Sequence, residues 1–176
     1  MNAGWSGWLL AVCATGGTAS PCPTDAAPRA PGTLLVVQQG PVARLALDAA
    51  GLAALPAATL TQRQSVSAAA NALGERSIRY DGALLRDVLG RAGFGGPNDR
   101  GARLSVVEAV ASDGYRALYS WGELFNSPLG EQAIVITSVD GRPLDETAGP
   151  LALRSLADLR PGPRHVRNLC ALLLRP

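Results

Sequence analysis

Two periods of hydrophobicity alternate along the chain and predict its strands and helices. Short segments in which apolar residues recur at every second position, or run together, have the pattern of strands. These segments are residues 33–38, 42–47, 58–64, 103–110, 115–120, 133–139, 151–155 and 166–174, with a shorter extended piece at 77–80. Asp140 and Gly141 follow one of these segments and predict a tight turn. Strands therefore dominate the predicted fold.

The helical period is clearest in residues 83–92, where four apolar side chains fall on one face. They are Leu84, Leu85, Val88 and Leu89. Gly93 follows where a left-handed C-terminal residue is favoured. A shorter helix is predicted from its cap Asp48 to Ala54, and residues 71–75 are predicted to be a loop. Helices and strands do not alternate regularly, so the order predicts an α+β fold with a mixed β-sheet.

Composition narrows the chemistry that the chain can perform. The 176 residues are enough for one domain, with 47% hydrophobic and 17% charged residues and a net charge of +2. Scattered basic residues argue against nucleic acid as a partner. All sixteen basic residues are arginine, which excludes a Schiff-base lysine and a P-loop lysine. His165 is the only histidine, so a histidine-rich metal site is excluded as well.

The N-terminal segment is typical of an export signal. An apolar run at residues 8–14 is followed by small residues at 15–20, in the order of a hydrophobic region and a cleavage region. The apolar run is shorter than the roughly 20 residues that cross a membrane, so no membrane insertion of the mature chain is expected. A frayed N-terminal helix is the other interpretation. We therefore predict a signal peptide at 1–20, an extended leader at 21–32, a domain at 33–176, and a periplasmic or secreted location.

Export would place Cys22 and Cys170 in an oxidising compartment. There the two cysteines could form a disulfide between the two ends of the fold. Alternatively, Cys170 is a small buried hydrophobic residue of segment 166–174. The sequence leaves both open, because a disulfide depends on the separation of the two Cα atoms.

Two groups of residues are candidates for ligand binding. If residues 115–121 form one strand, its period places Tyr115, Ala117, Tyr119 and Trp121 on a single face that could hold a flat ring. Near the C-terminus, Arg164 and Arg167 flank His165 and Val166, and arginine suits carboxylates and phosphates. Core packing of the aromatic residues and surface salt bridges of the arginines are the competing interpretations. Together the two groups indicate a site for an anionic heterocycle.

Several short motifs also occur in a characteristic order. They are Tyr80-Asp81-Gly82 with the helical segment to Leu89, Asp113-Gly114-Tyr115, Ser120-Trp121-Gly122-Glu123-Leu124, Gly141-Arg142-Pro143-Leu144, Gly149-Pro150-Leu151 and Arg164-His165-Val166-Arg167-Asn168-Leu169. From Thr33 to its end, the chain resembles the molybdopterin-binding oxidoreductase domain with the sulfite-oxidase fold. The resemblance implies that fold and a pocket shaped for a pterin.

Two departures from the family pattern bear on function. Catalytic members carry a cysteine that binds molybdenum where this chain has Gln62, and an amide does not replace a thiolate ligand. They also commonly carry an arginine where this chain has Ala152. The resemblance therefore implies a pterin or molybdopterin-like ligand without molybdenum, no metal site and no catalytic residue. Small exported members also imply a membrane signalling protein as a partner.

The leading hypothesis is a periplasmic pterin-binding protein that acts as a ligand sensor or binding module. Its expected ligand contacts fall into three groups: aromatic stacking, the polar ring edge, and an anionic tail. They are Tyr115, Tyr119 or Trp121 for stacking, Gln62 and Arg63 for the edge, and Arg164 and Arg167 for an anionic tail or a partner, with His165 as a further residue of the site. The alternatives are a molybdenum-cofactor oxidoreductase with the metal held only through the pterin, and a vestigial scaffold that only binds a partner protein.

Overall fold

A computed structural model describes residues 22–23, 29–68, 72–96, 99–160 and 162–176. These residues form ten strands, three short α-helices and two 3-10 turns. In chain order the elements are β1 (Leu35–Gln39), β2 (Val42–Leu47), α1 (Ala49–Ala53), β3 (Ala58–Ala68), β4 (Ala72–Leu84), α2 (Leu85–Arg91), β5 (Val106–Ala111), β6 (Arg116–Ser120), α3 (Trp121–Phe125), β7 (Ala133–Val139), β8 (Arg142–Pro143), β9 (Ala152–Ser155) and β10 (Leu169–Arg175), with the 3-10 turns at Gly101–Leu104 and Pro128–Glu131. The α+β class is confirmed.

The strands form two five-stranded sheets rather than one. The first has the order β2-β1-β10-β5-β6 and is mixed, because β1 and β10 are parallel and its other pairs are antiparallel. The second has the order β3-β4-β7-β8, with β9 also paired to β7, and its pairs are all antiparallel. A mixed sheet is thus present, but it holds only half of the described strands.

The main core fills the space between the two sheets and the helices. It takes buried residues from both sheets and from all three helices, such as Leu172 of β10, Val135 of β7 and Leu89 of α2. A smaller cluster lies on the opposite face of the second sheet and consists of Tyr80, Ile134, Ile136 and Ala152. The alternation of side chains along β7 explains both clusters, since neighbouring residues point to opposite faces.

Most predicted helices and strands are confirmed, although some of them begin or end at residues other than those predicted. Strands 42–47 and 133–139 have the predicted bounds, and Asp48 caps α1 by accepting a hydrogen bond from the Gly51 amide at 2.7 Å. The loop predicted at 71–75 is wrong for residues 72–75, which belong to β4; Asn71 lies outside the described residues. Residues 101–104, predicted in part as strand, form a 3-10 turn.

The N-terminal predictions fall largely outside the described residues. The signal segment 1–20 is not described, and the described part of the leader, 22–23 and 29–32, contains neither helix nor strand. Cys22 and Cys170 form a disulfide across 148 residues, with their Cα atoms 5.8 Å apart. Such a bond is compatible with an exported protein. Within the described ranges, no helix has the length and apolar character needed to cross a membrane.

Candidate functional site

A basic cleft of about 510 Å³ opens on the outer face of the second sheet. Residues of β4, β7, β8 and β9 line it, together with the segment that follows β8 and the loop before β10. Its polar and ionisable side chains come from Arg76, Tyr80, Arg142, Asp145, Thr147, Arg154, His165 and Arg167. We call this the arginine cleft. Four arginines face a single carboxylate among the lining residues, so the cleft attracts anions.

The floor of the arginine cleft is apolar. Ile78, Ile136, Val139, Leu144 and Ala152 line it beside the charged groups. Ile136 and Ala152 are directly paired across β7 and β9, and both are buried in the smaller core cluster. An apolar floor with a few polar groups is the usual construction of a site for a small organic ligand, and the volume lies within the ordinary range of such sites.

Two other cavities, each of about 480 Å³, open among the described residues. One lies beside α1, is lined largely by alanine and leucine, and has Asp81 as its one charged residue. The other lies beside Cys170 and combines Arg29 with Asp145 and Glu146, so that carboxylates outnumber cations there. Neither cavity joins several cations to an aromatic ring, and the arginine cleft is therefore the candidate site.

Arg154 is the central cation of the cleft. It belongs to β9, in which all four residues are buried, and only 7% of its surface is exposed. Its Nη1 donates a hydrogen bond to the Tyr80 hydroxyl at 2.7 Å, and its guanidinium carbon lies 5.3 Å from the centre of the Tyr80 ring. Its buried Nε has no hydrogen-bond partner, and no carboxylate pairs with it among the described residues. A buried charge without a counter-ion is costly, which makes Arg154 a candidate binding group for an anion.

Tyr80 is buried on the floor side of Arg154. Burial raises the pKa of its phenol, although the Arg154 charge and hydrogen bond act in the opposite direction. The phenol therefore stays neutral near neutral pH. Its oxygen accepts from Arg154, and its own proton remains available to a ligand.

His165 and Arg167 reach the cleft from the loop before β10. Burial, and then the charges of Arg154 and Arg167, lower the pKa of His165 to about 4. The imidazole is therefore neutral near neutral pH, although it lines a cationic cleft. Arg167 is exposed. The cleft thus brings together two of the residues that the sequence names as ligand contacts.

Arg76 and Arg142 occupy the more exposed rim of the cleft. Arg76 makes an exposed ion pair with Asp140, with Nη2 and Oδ2 separated by 3.4 Å. Arg142 begins β8, directly after the turn of Asp140 and Gly141. Exposed pairs of this kind contribute little, about 0–1 kcal/mol. These arginines therefore contribute positive potential that attracts anions to the cleft, and they do not supply a buried contact.

Gln62 and Arg63 lie on β3 with opposite orientations. Gln62 is half-buried and pairs with Ile78, which lines the cleft. Paired residues point to the same face of a sheet, so the Gln62 side chain lies on the face of the sheet that forms the cleft floor. Its Oε1 accepts a hydrogen bond from Gln64 Nε2 at 3.1 Å. Arg63 is exposed on the other face of the strand pair, opposite Ser77. Of these two expected contacts, only Gln62 lies on the cleft side.

The expected aromatic platform is not formed. Ala117 and Tyr119 alternate as the period of two predicts and point into the core, where Tyr119 is 0% exposed, whereas Tyr115 precedes β6 and is 43% exposed. The strand ends at Ser120, whose side chain caps α3, and Trp121 is the first residue of that helix. Trp121 stacks on Phe125 with ring centres 5.7 Å apart. The prediction failed because a helix cap interrupts the strand period.

Arg164 is turned away from the arginine cleft. It donates to Asp158 from Nε at 2.9 Å and again from Nη2, and to Glu123 from Nη1 at 2.8 Å. Its guanidinium carbon lies 4.9 Å from the centre of the Tyr119 ring, and the Tyr119 hydroxyl donates to the Arg164 carbonyl at 3.3 Å. Burial of the Glu123 carboxyl acts to raise its pKa. Hydrogen bonds from Ser120 and Arg164 outweigh this effect and hold the pKa of Glu123 below its ordinary value. Two carboxylates already neutralise this guanidinium.

Sequence reasoning thus assigned His165 and Arg167 to the cleft, placed Gln62 beside it, and missed its central pair. The sequence singles out Tyr80 only as part of a motif. It does not single out Arg154, although a signal exists: this arginine is a lone charge inside the apolar segment 151–156. A charge within a predicted buried strand is the kind of observation that marks a functional candidate.

No protein-family model matches the chain, and no curated protein is significantly similar to it. Among the described residues, no group of three or more histidine, cysteine or acidic side chains is arranged to hold a metal ion. The candidate site therefore stands on its own geometry.

Proposed function

We propose that this protein is an exported, non-catalytic binding protein for a phosphorylated pterin, with a domain like the molybdopterin domain of the sulfite-oxidase fold. The ligand lies in the arginine cleft, its ring against the apolar floor and Tyr80, and its phosphate toward Arg154 and Arg167. A role as a ligand sensor beside a membrane signalling protein belongs to the same proposal.

One observation carries the proposal: Arg154 lines a cleft large enough for a small organic molecule, is 7% exposed, and has no carboxylate partner in the described part of the chain. Charged hydrogen bonds from its guanidinium to a phosphate would supply the missing counter-charge. The apolar floor adds a surface for a flat ring, and the surplus of arginine favours an anionic ligand over a neutral one. Gln62 is close enough in the sheet, through its pairing with Ile78, to face the edge of a ring at that end of the cleft.

The described residues do not fit direct ligation of molybdenum by a thiolate. Gln62 stands where the family resemblance puts the ligating cysteine, and its amide oxygen accepts from Gln64. Cys22 and Cys170 are joined to each other, so neither offers a thiolate. We therefore derive no redox step, and a molybdenum-cofactor oxidoreductase remains the alternative that elemental analysis tests.

The test is calorimetric titration of the purified protein with a pterin monophosphate and with the same pterin lacking phosphate. We expect saturable binding of both compounds, at least tenfold tighter for the phosphate, since a charged hydrogen bond contributes roughly 1.5–3 kcal/mol. Arg154→Met should remove that preference for the phosphate.

Arg44→Met is the matched control, because Arg44 is an exposed arginine on β2 that hydrogen-bonds to Gln39 and does not line the cleft. It should bind both compounds as the unmodified protein does. Absence of binding of either pterin would refute the proposal and favour a scaffold that only contacts a partner. Equal loss of binding in both variants would show that the cleft is not the site.

A further inference from the structure

His165 lies within the arginine cleft as a neutral base among cations. It lines the cleft together with Arg154 and Arg167, whose charges are the two electrostatic influences on its imidazole. Neither ring nitrogen has a hydrogen-bond partner in the described part of the chain; only the backbone amide of His165 is engaged, with the Gly162 carbonyl at 3.1 Å. The imidazole is thus unused by the fold and faces the space where the proposed ligand binds.

An anion in this cleft would change which protonation state of the His165 imidazole is favoured. Without a ligand, a proton on His165 would add a further positive charge beside Arg154 and Arg167. A dianion between the three groups would offset both guanidinium charges and offer oxygen acceptors to the imidazolium, which is a donor at both nitrogens. The protonated form would then be the favoured one.

We propose that His165 is a specificity-determining residue of the cleft, which takes up a proton when a dianionic ligand binds and then donates a hydrogen bond to it. This inference rests on the proposed anion site and adds the class of anion and the regulation of its binding. A ligand with two negative charges gains from the added proton, whereas a singly charged one gains less. Binding therefore strengthens as pH falls.

The other groups that face His165 keep their charge over the relevant pH range. The charged groups are four arginine cations: Arg76 from β4, Arg142 from β8, Arg154 from β9 and Arg167 from the same loop. Burial raises the pKa of Tyr80, which stays neutral. Asp145, after β8, has a pKa held below its ordinary value first by the Thr147 hydroxyl and then by the Ala148 amide, so it stays ionised. Once a bound dianion raises its pKa, His165 is, among the described lining residues, the group that changes charge between about pH 4.5 and 8.

The experiment uses sulfate as the probe, because sulfate keeps both of its charges throughout this pH range. His165 is the only histidine of the chain, so its imidazole resonance in an NMR spectrum needs no assignment by mutation. We expect saturating sulfate to raise the pKa of His165 by about two pH units, and sulfate affinity to be about tenfold higher at pH 5 than at pH 8. Sodium chloride at equal ionic strength is the control for screening.

His165→Gln should still bind sulfate, but with an affinity that changes less than twofold between pH 5 and pH 8. Arg154→Met should abolish the sulfate-dependent rise in pKa. Sulfate binding with an unchanged pKa of His165 would overturn this inference and leave the anion site standing. Absence of sulfate binding at any pH would overturn both. A pKa rise with sulfate, combined with no binding of any pterin, would support the inference and refute only the pterin ligand.

Discussion

Arg154 and Tyr80, 74 residues apart in sequence, are joined by a hydrogen bond of 2.7 Å from Nη1 to the phenol oxygen. The partner of this buried guanidinium is neutral, so the contact orients the charge without cancelling it. In contrast, Arg164, ten residues further along, is enclosed by Asp158 and Glu123. The two arginines have different surroundings in the fold: Arg164 is paired with two carboxylates, whereas the hydrogen-bond partner of Arg154 is a neutral phenol.

Removing one partner of the Arg154–Tyr80 pair should cost more than removing both. Tyr80→Phe leaves the buried guanidinium with one donor fewer satisfied, and we expect a loss of roughly 1–3 kcal/mol in the free energy of unfolding in urea. The double variant Tyr80→Phe with Arg154→Met should unfold close to the unmodified protein or be more stable, because a buried charge is replaced by an apolar side chain.

Tyr115→Phe is the matched control for this pair, since it deletes an exposed hydroxyl that donates to the Pro163 carbonyl at 2.8 Å. We expect it to cost about 0.5–1 kcal/mol. A double variant less stable than Tyr80→Phe would show that Arg154 contributes to folding rather than to binding.

The stability of the unliganded protein should fall as pH decreases from about 6.5 to about 4 because of His165. Its pKa in the fold is lowered to about 4, whereas in the unfolded chain it is near the ordinary value of about 6.5. Above pH 6.5 the folded and unfolded states both hold a neutral imidazole, so His165 adds no pH dependence to the free energy of unfolding. Below pH 6.5 the unfolded state binds the proton first and is favoured.

Urea unfolding measured at steps between pH 8 and pH 4 checks this prediction. His165→Gln should flatten the part of the curve between pH 6.5 and pH 4.5, before carboxylates titrate. An identical slope in the variant and the unmodified protein would assign the pH dependence to other groups.

Reduction of the disulfide should destabilise the protein substantially. The bond between Cys22 and Cys170 closes a loop across 148 residues. Chain entropy alone would give about 5 kcal/mol for such a loop, and measured values for native disulfides are typically 2–5 kcal/mol. We expect the urea midpoint to fall when a thiol-free reductant is added.

The control for this experiment is the double variant Cys22→Ser with Cys170→Ser, whose midpoint should be low and unaffected by reductant. If the reductant shifts neither protein, the two ends of the fold are held by packing alone, and the argument for an oxidising compartment loses its structural support.

Gly149 should tolerate substitution less well than another glycine of similar conformation. Its φ is +74°, and a Cβ there would collide with the Asn168 side chain, which donates a hydrogen bond to the Thr147 carbonyl at 3.1 Å. Gly149→Ala should cost roughly 2–4 kcal/mol, from left-handed strain plus overpacking. Gly114→Ala, at φ +90° with no neighbouring atom within 4 Å, should cost only the strain, about 1–2 kcal/mol. Equal losses in thermal or urea unfolding would show that Asn168 moves aside.

The sequence by itself determined the features that depend on neighbouring residues. Strands β2 and β7 follow from apolar patterns of the right length, and Asp48 caps its helix because a carboxylate three residues from an amide can reach it. Asp140 and Gly141 both adopt positive φ, as the predicted tight turn requires. The α+β class follows from the order of these local elements.

Tertiary pairing decided the rest of the strands. Ala83 and Leu84 have the helical pattern, yet they extend β4, because Val135 and Ile134 of β7 provide the backbone partners that complete a ladder. Residues 72–75 look like a loop, but they pair with residues 65–68 of β3. Local propensity is a weak preference, and long-range hydrogen bonding and burial override it.

The site was decided by the same long-range effects. Arg164 and Arg167 are three residues apart and equivalent in the sequence, but the loop sends one to two carboxylates and the other to the cleft. Arg154 became important only because β9 pairs with β7 in the second sheet and thereby places a charge beside Tyr80. The sequence determines which residue types each segment contains. The burial of a side chain, and the neighbours that distant strands place beside it, determine its pKa and its partners.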